Sequence, residues 1–166
     1  QRVKSVRTRY HGRLHLGHLL VRGGDVIMFD FEGDPDLHLS ERRIKRCPLR
    51  DVASMLHSFG YAAQSSVRQR ISGERNELAA LQRLRVWARF WYSHVSAAFV
   101  RGYWKTAKNA PYLPESPDHQ QLLLGVNLLE HALLDIRADI SDKRELAGMP
   151  FRVILHLLDG EAERRM

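Results

Sequence analysis

The residues best suited to chemistry gather in two short stretches, His11-Gly12-Arg13-Leu14-His15-Leu16-Gly17-His18 and Asp30-Phe31-Glu32-Gly33. Imidazoles at positions 11, 15 and 18 can ligate zinc, and they can equally brace backbone through hydrogen bonds; the residues alone leave both readings open. Arg13 cannot give up its proton, but its guanidinium can hold a phosphate group. Asp30 and Glu32 offer carboxylate oxygens of the kind magnesium takes, whereas a ring nitrogen such as that of His18 suits zinc or copper better. The plainer alternative for Asp30 is the end of a strand.

These residues need a scaffold that brings them together. From Leu19 to Phe31 two β-prone runs are separated by Gly23-Gly24-Asp25, a hairpin signal. A hairpin returns the chain to where it left, so positions 13, 18 and 30 are expected to converge. Gly33, Asp34 and Pro35 break the second strand, and a charged connection runs through Glu41 to Arg46 before Pro48, which suits the first position of a helix. Leu49, Val52, Ala53, Leu56 and Phe59 then follow helical spacing, with Gly60 as the expected stop. Asp51 falls in the first turn, where a carboxylate favours the helix N-terminus.

A longer helix is predicted over about 74–103, carrying Leu78, Leu81, Leu84, Trp87, Trp91, Val95 and Ala98 along a side read as core. Pro111 to Pro117 reads as a loop. A further helix from Pro117 repeats Leu122, Val126, Leu129, Leu133, Ile136 and Ile140 at steps of three and four, and a short last helix follows Pro150 and ends near Gly160. The sum is a mainly α, α+β unit, a short β-hairpin on a helical body, read as a single domain over 1–166.

Composition narrows the partners. With 26 Lys+Arg against 19 Asp+Glu the formal charge is +7, which favours an anionic partner. The cations are interleaved with acids and apolar residues, and the basic stretches lack interleaved stacking aromatics apart from Tyr10, so no specific nucleic-acid binding is expected. The lone Cys47 cannot close an internal disulfide, and no run approaches the roughly 20 apolar residues of a membrane span, so the reading is a cytoplasmic protein without a membrane segment. The chain opens on Gln1, as a piece of a longer protein would.

The whole pattern resembles the maltokinase family of the aminoglycoside-phosphotransferase, protein-kinase-like superfamily. That superfamily places His-Gly-Asp, four residues, an Asn or Gln, and a strand pair ending in Asp-Phe. The resemblance extends through Asp30-Phe-Glu-Gly-Asp-Pro35, Leu39-Ser-Glu-Arg-Arg43, Pro48-Leu-Arg-Asp-Val-Ala-Ser-Met-Leu56, Phe59-Gly-Tyr-Ala-Ala63, Leu128-Leu-Glu-His-Ala-Leu133 and Met149-Pro-Phe-Arg152.

This resemblance implies the C-terminal lobe of a phosphotransferase that uses ATP and Mg2+ to phosphorylate maltose at its anomeric position, in many bacteria fused to trehalose synthase. It implies catalytic-loop roles for His11 and position 13, metal binding at Asp30 and position 18, sugar contacts from Glu32 and Arg137, and bracing of the loop by Asp51. It also implies that the N-terminal nucleotide lobe is absent from this chain. Arg13 stands where the catalytic aspartate belongs and His18 where the magnesium-binding amide belongs, so this chain is expected to be inactive or severely impaired. The alternative is a noncatalytic pseudokinase module that binds a fused domain or partner.

Overall fold

A computed structural model describes residues 5–71 and 78–141, with side chains described except at 68, 71, 78–79 and 135–141. The chain forms β1 (Leu19–Arg22), β2 (Asp25–Met28), α1 (Leu39–Arg42), α2 (Leu49–Ile71), α3 (Leu78–Ala107) and α4 (Pro117–Ser141). A 3₁₀ turn at Leu16–His18 leads into β1. The expected mainly helical α+β architecture with one short antiparallel hairpin is what the chain adopts. It divides into two compact units. One holds 5–14, 30–54 and 111–141 of the described residues, the other 15–29, 55–71 and 78–110, and α2 is shared between them after Ser54.

In the second unit β1 and β2 pair antiparallel, with Leu19 opposite Met28 and Arg22 opposite Asp25. Gly23 and Gly24 form the two-residue turn at φ +59° and +95°. Positive φ at both central positions marks the turn whose twist matches a hairpin, and glycine reaches it without a Cβ clash. Both faces of the ribbon are open, Val21 to 78%.

The core follows α2. Leu49, Val52 and Ala53 are buried in the first unit, and Met55, Leu56, Phe59 and Ala63 in the second. Their spacing keeps one stripe of the helix out of water. Gly60 does not stop this helix, which continues to Ile71. Glycine costs about 1 kcal/mol in a helix interior, and the buried positions on either side of Gly60 outweigh it. The Glu41–Arg46 connection contains the short helix α1.

The long helices depart further from expectation. On α3, Leu84 is 36%, Trp87 67% and Trp91 42% exposed, so much of the predicted core stripe is solvent-facing. Toward its other end the helix does pack, and Phe59 meets Trp91 and Phe99 edge-on at 6.3 and 5.6 Å between ring centroids. On α4 the expected core positions Leu122, Val126, Leu129 and Leu133 are exposed, while Asn127 and Ala132 are buried. Asn127 satisfies its amide by donating to the Leu123 carbonyl at 2.6 Å. Helical periodicity identifies an apolar face, but only a neighbouring element can cover it. The expected start of the long helix before Leu78 and the helix after Pro150 lie outside the described residues.

Leu49 is fully buried while Val21 is open. Leu49→Ala should therefore cost about 2–5 kcal/mol in urea unfolding. Val21→Thr should stay within about 0.5 kcal/mol of the parent. Equal losses at the two positions would contradict this placement of the core.

Candidate active site

The loop at 11–13 is held from below by α2. Asp51, in its first turn, accepts from the backbone N–H of His11 at 2.7 Å and of Gly12 at 3.0 Å. Two amides on one carboxylate form charge-assisted hydrogen bonds that fix the loop backbone. Burial pushes the Asp51 carboxyl above its ordinary pKa, while those two amides and then the nearby His11 and Arg50 pull it back. Arg50 is also ion-paired with Glu130, which ties the start of α2 to α4 within the same unit.

His11 is buried, and its Nδ1 accepts weakly from the Arg13 N–H at 3.4 Å, which leaves any neutral-ring proton on Nε2. Its ring leans on Phe31 at 4.8 Å. Gly12 has φ +88°, and a Cβ there would stand 3.4 Å from the Gly33 Cα. The loop and the Asp30–Gly33 segment thus approach backbone to backbone, and the positive φ at position 12 is what favours glycine there. Gly33, at φ +82°, in turn lies under the aliphatic stem of Arg42. The Arg42 guanidinium donates to the carbonyls of Leu37 and Pro35, both at 2.8 Å, and so clamps the turn.

Asp30 has φ +66° and is the one non-glycine in the left-handed region among the described residues. Aspartate tolerates that region better than most side chains, at a cost of order 1–3 kcal/mol. Arg13, Asp30 and Glu32 are exposed, and Glu32 faces a groove of about 560 Å³ with His11 and Phe31.

The structure brings His11, Arg13, Asp30, Glu32 and Asp51 into one unit. His18 belongs to the other unit. It is buried, stacks on His15 at 3.7 Å and meets Phe29 edge-on at 5.8 Å. His15 caps the 3₁₀ turn by accepting from Gly17 N–H at 3.0 Å. These three histidines therefore brace backbone or pack on rings, and among the described residues no three His, Cys, Asp or Glu side chains stand together as a metal site. Magnesium takes oxygen ligands. Asp30 offers them, but the stacked imidazole of His18 does not, so the expected pair does not fit the ion. The Arg137 side chain lies outside the described residues. The residues missed by sequence reasoning are Gly33 and Arg42, which shape the site without chemistry of their own; the close glycine pair at 12 and 33 was their only signal.

Asp51→Asn keeps one acceptor but turns a donor toward the second amide, and should cost about 1–3 kcal/mol. The raised folded pKa gives a signed pH dependence. The carboxyl's contribution is full below its unfolded value of about 3.9 and is lost as pH rises through the higher folded value. The stability deficit of the variant should hence be greatest in acid and narrow toward neutral pH. Urea unfolding at about pH 3 and about pH 7 checks this; a deficit that widens toward neutral pH would contradict it.

No protein-family model matches the chain. A segment of 54 residues, 32% of this chain and 13% of the relative, is 43% identical to a glucosamine kinase of Mycolicibacterium smegmatis. Among solved structures, a glucosamine kinase in complex with glucosamine, ADP and inorganic phosphate superposes with a TM-score of 0.61 at 21% identity, over 93% of this chain and 35% of that one. A second glucosamine kinase crystal form gives 0.60 at 21% identity, over 94% of this chain and 35% of that one. The chain spans about a third of the length of those structures. Its hairpin, pinned loop and helical body therefore have the fold of the corresponding third of a sugar kinase, a kinase-like lobe.

Proposed function

We propose that this chain is the catalytic-loop lobe of an ATP-dependent sugar phosphotransferase in which Arg13 has replaced the general base. The observation that carries this reading is the Asp51 carboxylate holding the His11-Gly12 amides, with Gly12 against Gly33, in a chain that shares the glucosamine kinase fold. In phosphoryl transfer a loop carboxylate at position 13 would accept the proton of the attacking sugar hydroxyl while the phosphates are held in line. Arg13 cannot accept it. Its guanidinium can still hold a phosphate oxygen pair, so binding outlasts turnover. In this reading Asp51 braces the loop, Glu32 faces the sugar and Asp30 faces the phosphates; Arg137 is assigned to the sugar by the family resemblance alone. The sugar is maltose by sequence resemblance and glucosamine by structural similarity.

A second reading, a noncatalytic interaction module, draws on the same Arg13. It predicts binding to a partner such as a trehalose synthase subunit, read by co-purification, and no gain of turnover from any loop substitution.

Coupled ADP release with ATP, magnesium and either maltose or glucosamine separates the two. The parent should show no turnover at kinase rates. Arg13→Asp, in a chain that includes a nucleotide-binding lobe, should raise kcat by about 10²- to 10⁴-fold. Kinase-rate turnover by the parent would refute the loss of the base at position 13, and no gain in the folded variant would sink the phosphotransferase reading.

A further inference from the structure

Thr8 and Arg46 pair antiparallel, exchanging both backbone hydrogen bonds at 3.0 and 3.1 Å. Arg9 follows and Lys45 precedes this isolated bridge, and both line one groove. Like charges gathered on one wall repel and leave it open to an anion. Arg43 joins them on the wall of the same groove. All three are exposed, and among the described residues none has an ion-pair partner. Arg42, by contrast, spends its guanidinium on the Pro35 and Leu37 carbonyls.

We propose that this groove is a binding site for a phosphorylated sugar, its phosphate held between Arg9, Arg43 and Lys45. A phosphate dianion neutralises these cations and offers each an acceptor oxygen. The rest of the groove takes a neutral, hydroxyl-bearing body. Tyr10 and Phe31 give aromatic surface, and Glu32 is an acceptor for hydroxyl groups. The volume of about 560 Å³ falls within the range of small-ligand sites. Glu32 also repels a continuous phosphate backbone, which argues against a nucleic-acid strand in this place. The site shares Glu32 with the phosphotransfer reading but needs no transfer, so it stands or falls separately.

Isothermal titration of the chain with glucose 6-phosphate, glucose, inorganic phosphate and a short single-stranded oligonucleotide tests the assignment. Glucose 6-phosphate should bind at least about tenfold more tightly than glucose or inorganic phosphate. The double variant Arg43→Gln with Lys45→Gln should weaken it by about 10- to 100-fold with an unchanged circular dichroism spectrum. Should that variant unfold, Arg9→Gln on the same groove makes the same test. Glucose or inorganic phosphate binding as tightly as the ester would overturn the proposal, as would full affinity in a folded variant. Tighter binding of the oligonucleotide at about 150 mM salt would overturn it in favour of a nucleic-acid surface.

Discussion

The carboxylate of Asp51 under the loop at 11–13 is the constraint on which the site depends. Burial makes the ionised group costly, and the N–H groups of His11 and Gly12 offset part of that cost. A loop held by two charge-assisted hydrogen bonds has little freedom left. Gly12 is thereby presented to Gly33, His11 to Phe31, and the backbone of Arg13 to the ring nitrogen of His11. Removing the carboxylate would release all of these together, because each contact uses backbone that Asp51 positions.

Arg13 is therefore a local change of chemistry on a loop whose geometry is otherwise built. The side chain is exposed and makes no demand on the core. Such a position can exchange an acid for a base without loss of fold, since surface substitutions away from packed features are usually worth only a few tenths of a kcal/mol. Its effect falls on the sign of the local charge. The neighbouring groove is already rich in cations at Arg9, Arg43 and Lys45, so the face beside the loop attracts anions by several independent groups.

The exposed aromatic and aliphatic residues of α3 and α4 show how far helical pattern reaches. Trp87 and Leu133 lie in stripes of proper period, yet both are more than half exposed. Asn127 is buried on α4 because it satisfies its own amide against the helix backbone, one turn back. Burial is a property of what stands opposite a residue, and sequence spacing carries no information about that. No described helix is long and apolar enough to cross a membrane, so these faces are not explained by a bilayer span.

Local physics let the sequence by itself determine the hairpin, from Gly23-Gly24 between β-prone runs, the start of α2 after Pro48, and the helix from Pro117. Each rests on backbone torsion preferences and side-chain periodicity, which act over a few residues. Helix length was less legible, since Gly60 is a stop by propensity and a buried interior position by packing. The chemistry-bearing residues were legible as types and spacings, but their grouping was not. Only the tertiary structure decided that the loop groups Asp51 holds are the His11 and Gly12 amides, that Arg42 clamps the turn under which Gly33 lies, and that His18 packs on His15 and Phe29 in a different unit from Asp30. Those outcomes depend on which distant segments meet, and contacts between distant segments are set by the packing of the whole chain.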